Sequence, residues 1–158
     1  MADLSSKKIA IISTDGFEDS ELTSPKEAVE AAGATAHVIA PEAGEIEGKK
    51  GTKVSVDVTT SEANAADYDA LILPGGTVNA DAIRINADAV NLVKEIQGAG
   101  KPIGVICHGG WILTDADLIN AGANWVDEEV VVDSGFISSR TPDDLPAFNA
   151  ALVEEFAK

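Results

Sequence analysis

Lys101-Pro102-Ile103-Gly104-Val105-Ile106-Cys107-His108-Gly109-Gly110-Trp111 decides the reading of this chain. A run of β-branched and small apolar residues reaches the only cysteine and then passes through two glycines into a helix-compatible stretch. The pattern predicts a buried strand, a sharp turn and a helix starting at Gly109 or Gly110, with a thiol at the apex. Such an elbow exposes one side chain at the end of a strand and sets its sulfur near helix amides, which favours the thiolate. Taken alone, one cysteine after an apolar strand is more often a packing residue; the glycine-rich turn reverses that reading.

Other strands lead to similar loops. Lys7 to Ser13 reads as a first buried strand ending in Asp15-Gly16-Phe17-Glu18, and Ser20 to Ala32 has helical spacing stopped by Gly33. Thr35 to Ala40 is a second strand, and Lys53 to Val58 alternates like an exposed strand, so this part predicts a small hairpin excursion. Asp69 to Leu73 is a third buried strand running into Pro74-Gly75-Gly76, with helices from about Asn79 and from Ala87 to Ala99. Val130 to Val132 and Phe136 to Ser138 flank a hairpin turn. Pro142 to Ala157 closes as a helix for which Thr141 is the expected N-cap. Strands alternating with helices predict one α/β domain over 1–158, a mostly parallel sheet covered on both faces.

Composition sets bounds on partners. With 27 acidic and 11 basic residues the formal net charge is -16, which repels phosphate backbones and argues against nucleic acid as a tight partner. A single cysteine forms no internal disulfide, and with no leader-like opening the cytoplasm is the expected location. No apolar run reaches the roughly 20 residues needed to cross a bilayer, so no membrane partner is expected. No ligand spacing suggests a metal, and neither a phosphate loop nor a dinucleotide fingerprint follows a strand, so no cofactor is expected. His37 reads as a structural or surface histidine. Trp111 and Trp125 read as core or interface packing residues.

If the first, third and elbow strands are neighbours, their three loops meet in one pocket at the carboxyl ends of the strands. By residue type, Cys107 is the nucleophile, the amides of Gly75 or Gly76 with that of His108 form an oxyanion hole, and Glu18 is a carboxylic acid facing the sulfur with its pKa raised by burial. His108 is the nearby base candidate, although adjacent residues point in different directions.

The ordered set Phe17-Glu18-Asp19-Ser20-Glu21, Leu73-Pro74-Gly75-Gly76, Ile106-Cys107-His108-Gly109 and Asn120 to Asp133 resembles the ThiJ/PfpI family of the class I glutamine amidotransferase-like superfamily, over nearly the whole chain. The resemblance implies a flavodoxin-like three-layer sandwich, a homodimer or higher homo-oligomer, Cys107 as elbow nucleophile with Glu18 hydrogen-bonded to it, and His108 as a catalytic partner in PfpI-like members. It implies a cysteine-dependent stress-protection enzyme acting on reactive carbonyls or early glycation adducts. Alternatives are an intracellular cysteine peptidase acting on peptides and a redox-sensing or chaperone-like protein using the same thiol. One departure follows Asp117, where relatives carry on the order of fifteen more residues, including a strand. Either that segment is deleted or the sequence omits it; omission is favoured, because losing a central strand breaks ladder bonds on both sides.

Overall fold

The computed structural model describes residues 2–113, 124 and 126–158. Nine strands and four α-helices occur among the described residues. β1 (Lys8–Ile12), β2 (Thr35–Ala40), β6 (Ala70–Leu73) and β7 (Ile103–Ile106) are apolar runs, and β6 and β7 are buried at every position. Continuous apolar strands of this kind suit a parallel sheet covered on both faces. The seven-stranded sheet has the order β5-β2-β1-β6-β7-β9-β8, with β5 (Val58–Thr59), β8 (Val130–Asp133) and β9 (Phe136–Ser139) completing it. All pairs are parallel except the β8–β9 hairpin. β1, β6 and β7 are therefore consecutive neighbours, as the pocket requires.

Helices α1 (Asp19–Ala31) and α4 (Leu145–Phe156) cover one face, where Leu22, Val29, Phe148, Leu152 and Phe156 pack on Ile9, Ile11 and Ile72. Helices α2 (Thr77–Arg84) and α3 (Ala87–Gly98) cover the other, where Ile83, Leu92, Val93 and Ile96 pack on Ala10, Leu71 and Leu73. The result is the flavodoxin-like three-layer arrangement. The expected hairpin excursion is a two-stranded sheet of its own, β3 (Glu45–Glu47) and β4 (Lys53–Ser55), paired Ile46 to Val54. Thus only the first part of the 53–58 stretch belongs to the hairpin, and Val58 joins the main sheet beside β2.

Two local readings change. The segment after the elbow is a 3-10 turn beginning at Cys107 itself and running to Ile112, so helical geometry starts before Gly109. The last helix begins at Leu145, after a 3-10 turn over Pro142–Asp144, and Thr141 makes no capping bond with its side chain. Between β7 and β9 the ladder is unbroken, Gly104 opposite Ile137 and Ile106 opposite Ser139. The position of the sequence departure after Asp117, and Trp125, lie outside the described residues. No helix among the described residues is long and apolar enough to cross a membrane.

Candidate functional site

Cys107 sits at the end of β7 with φ 53°, in the left-handed region that a non-glycine residue occupies only under constraint. The strain turns the side chain out of the sheet, and the thiol is partly exposed. Sγ lies 3.1 Å from Nδ1 of His108. The His108 ring in turn meets Trp111 edge-on, centroids 4.8 Å apart. Trp111 is 43% exposed, so it is not a core residue; it flanks the imidazole. The amides of His108 and Gly76 are directed at the sulfur and pull its pKa down, but burial and then the Glu21 charge outweigh them, and the thiol pKa is raised. The elbow amides alone do not make a resting thiolate, contrary to the simplest reading of the motif.

The carboxyl that faces Cys107 is Glu21, not Glu18. α1 starts at Asp19, so Glu18 is its N-cap with extended backbone (φ −72°, ψ 116°), while Glu21 lies within the first turn. Glu18 points to the β3–β4 hairpin and is ion-paired with Lys49 and with Lys50, the latter at 3.0 Å. Burial acts to raise its pKa, but the hydrogen bonds and charges of the two lysines win and hold it below the usual carboxylate value. The expectation of a raised Glu18 beside the sulfur is corrected accordingly.

Glu21 is fully buried and neither carboxylate oxygen has a complete hydrogen bond. Its pKa is pushed up to about 7, first by burial and then by the Glu18 charge. The Gly75 amide and the Cys107 thiol oppose the shift, at geometry short of a full bond. A methyl group on Gly75 would overlap Glu21 Oε2 and lie 2.8 Å from Cys107 Cβ, so glycine is what lets carboxyl and thiol meet there. Gly75 thus faces the acid and Gly76, with His108, faces the sulfur.

Asn79, which motif reasoning missed, ties this loop to the sheet. Its buried amide donates to the carbonyls of Pro74 (3.1 Å) and Gly75 (2.9 Å), while its Oδ1 accepts from Ser13 Oγ (3.2 Å) and the Thr14 amide (2.8 Å). A polar residue in the first turn of a helix directly after Pro-Gly-Gly was the available signal.

A cavity of about 710 Å³ opens beside the thiol, with Val105, Cys107, His108, Trp111, Ser139 and Arg140 among its lining residues. No cluster of His, Cys, Asp and Glu suited to a metal ion occurs among the described residues. His37 lies away from the site, its Nδ1 3.2 Å from the Tyr68 hydroxyl.

Residues 7–155 match the model of the DJ-1/PfpI family. The chain is 45% identical over 161 positions to YraA of Bacillus subtilis (strain 168), provisionally named a cysteine protease, covering 91% of this chain and 95% of that one. It is 43% identical over 163 positions to protein/nucleic acid deglycase 2 of Escherichia coli (strain K12), covering 91% and 94%. Both alignments are longer than the chain of 158 residues, so these relatives carry residues with no counterpart in it. A crystal structure from Anabaena variabilis, a two-domain protein with DJ-1/ThiJ/PfpI-like and ferritin-like domains, superposes with a TM-score of 0.88 at 33% identity, over 94% of this chain and 47% of that one. On this sequence match and this fold, the chain belongs to the DJ-1/PfpI family.

Proposed function

We propose that the protein is a cysteine-dependent deglycase-type enzyme that acts on reactive carbonyls or their early adducts with amines and thiols, with Cys107 as nucleophile and Glu21 as general base. The observation that carries this reading is the buried Glu21 carboxyl with its pKa pushed up to about 7, facing the only thiol in the chain. A thiol of raised pKa needs an adjacent base to react at neutral pH, and a base is most effective when its pKa lies near the working pH.

In this scheme Glu21 takes the thiol proton as the sulfur bonds to an aldehyde-derived carbon, adding across a free carbonyl or, in an adduct, displacing the amine or thiol, which leaves with that proton as its C–N or C–S bond breaks. The amides of Gly76 and His108 steady the oxyanion that forms. Proton transfer from that carbon to the neighbouring carbonyl carbon oxidises the first and reduces the second, giving a thioester with no external redox partner. Water then releases a hydroxyacid and restores the thiol. The strong net negative charge favours glycated proteins and small adducts over nucleic acid, although the Escherichia coli relative's name includes both. Purified protein should form lactate from methylglyoxal and from a methylglyoxal-treated peptide, and Cys107→Ala should abolish both; undiminished turnover in that variant overturns the proposal.

A peptidase reading is supported by the 3.1 Å contact between Sγ and His108 Nδ1. It requires peptide cleavage that disappears in His108→Ala, with the oligomeric enzyme as the assayed species. The redox-sensor reading is weakened by the raised thiol pKa, since peroxide reacts with the thiolate.

A further inference from the structure

The β3–β4 hairpin takes no part in the scheme above, yet its tip is fastened to the loop that carries the acids. The Lys49 amide donates to the Phe17 carbonyl at 2.9 Å and the Gly16 amide to the Glu47 carbonyl at 2.8 Å. The Asp19 carboxylate accepts from the amides of Lys50 (2.9 Å) and Thr52 (3.0 Å). A Cβ at Gly48 would lie 2.7 Å from Asp19 Cγ, so only glycine permits this approach. These backbone bonds hold the tip without help from the lysine side chains.

Lys49 and Lys50 are nevertheless both ion-paired with Glu18, although their side chains are 53% and 68% exposed. Ion pairs with such exposed partners contribute little to stability. Their placement has another consequence. Glu18 caps α1 and Glu21 lies in its first turn, three residues on, where the Glu21 amide donates to the Glu18 carbonyl at 3.0 Å and the Glu18 charge reaches Glu21. Among the described residues, the charged and titratable groups that act most strongly on Glu21 are Glu18 from its own segment, Lys49 from the hairpin and Cys107 from the elbow, with His108 behind the sulfur.

We propose that Lys49 is a positioning residue: paired with Glu18 on the docked hairpin tip, it balances the negative charge beside Glu21 and so sets the pH at which the Glu21–Cys107 pair gives up its protons. The inference rests on the reading of Cys107 and Glu21 as the reacting pair. Glu18 pushes the proton affinity of that pair up and Lys49 pushes it down. Lys50, which holds Glu18 at 3.0 Å but is not among the strongest influences on Glu21, has a smaller effect.

The rate of Cys107 alkylation by iodoacetamide, followed against pH by mass spectrometry, reads this balance without any substrate. Lys49→Gln should move the midpoint to higher pH and Glu18→Gln to lower pH, each by at least about half a unit. Lys49→Arg should restore the wild-type midpoint, and Lys50→Gln should move it less than Lys49→Gln. Shifts of the same sign for Lys49→Gln and Glu18→Gln, equal shifts for the two lysine variants, a Lys49→Arg midpoint as displaced as that of Lys49→Gln, or no shift in any variant with wild-type circular dichroism would overturn it. A wild-type protein without carbonyl turnover sinks the proposed function and leaves these midpoints standing. Unmoved midpoints in an active enzyme sink the role of Lys49 alone.

Discussion

Two acidic clusters lie at the carboxyl ends of strands β9 and β1, and they are built on opposite principles. At the end of β9, Arg140 donates to both oxygens of Asp144 at 2.9 Å and to Asp127 at 2.7 Å. The Asp144 carboxyl is held below its usual pKa by those hydrogen bonds, and the guanidinium is raised by the same partners. At the end of β1, Glu18 is ion-paired with two lysines, while Glu21, more deeply buried, has no ion-pair partner among the described residues. An acid paired in this way stabilises a fold; an acid left buried and unpaired costs stability unless it keeps its proton. The difference separates a structural cluster from a reactive one more sharply than residue type does.

The largest effect should come from closing the space that lets the reactive acid meet the thiol. Gly75→Ala places a methyl group against Glu21 Oε2 and Cys107 Cβ, so turnover of methylglyoxal should fall by about 100-fold or more while the chain remains folded. Retained turnover would mean that the acid and the thiol need not touch.

Glu21→Gln should lower turnover by about 100-fold, as expected for loss of a general base, and should also change the pH dependence of stability. The folded pKa of about 7 lies above the ordinary value of 4.5. Between those values the folded chain keeps a proton that the unfolded chain has lost, so wild-type stability declines as pH rises through this window and stays lower above it. Urea unfolding at pH 8 should find Glu21→Gln more stable than wild type by about 2 kcal/mol, after allowance for solvent screening, with the difference vanishing near pH 4. A destabilised variant at pH 8 would show that the carboxyl is satisfied in the fold.

Asn79→Ala leaves two carbonyls, a hydroxyl and an amide without their shared partner and should cost about 2 kcal/mol in urea unfolding, with a smaller loss of turnover from the loosened Gly75 loop. Smallest of all, Arg140→Lys gives up the two-pronged grip on Asp144. It should lower the melting temperature slightly and leave the alkylation midpoint of Cys107 unchanged. A moved midpoint would join the two clusters electrically and remove the contrast between them.

The strands that carry the site were legible because each is an uninterrupted apolar run, and the adjacency of β1, β6 and β7, the condition under which their loops share one pocket, holds in the sheet. Choosing between Glu18 and Glu21 was not open to the same reasoning. Both acids lie at the start of α1, and the choice depends on the residue at which extended backbone becomes helix. It depends also on Lys49 and Lys50, some thirty residues onward, whose reach back to Glu18 no local spacing encodes. The raised thiol pKa was hidden for a related reason. The elbow motif advertises amides that lower it, whereas burial and the Glu21 charge, which raise it, are properties of the assembled fold.

The most direct test is the pH profile of Cys107 alkylation in wild type, Glu21→Gln and Glu18→Gln. With Glu21 as the carboxyl coupled to the sulfur, Glu21→Gln moves the midpoint to lower pH by about one unit or more, and Glu18→Gln moves it in the same direction by less. A Glu21→Gln profile that matches wild type, or a larger shift for Glu18→Gln, would contradict the account.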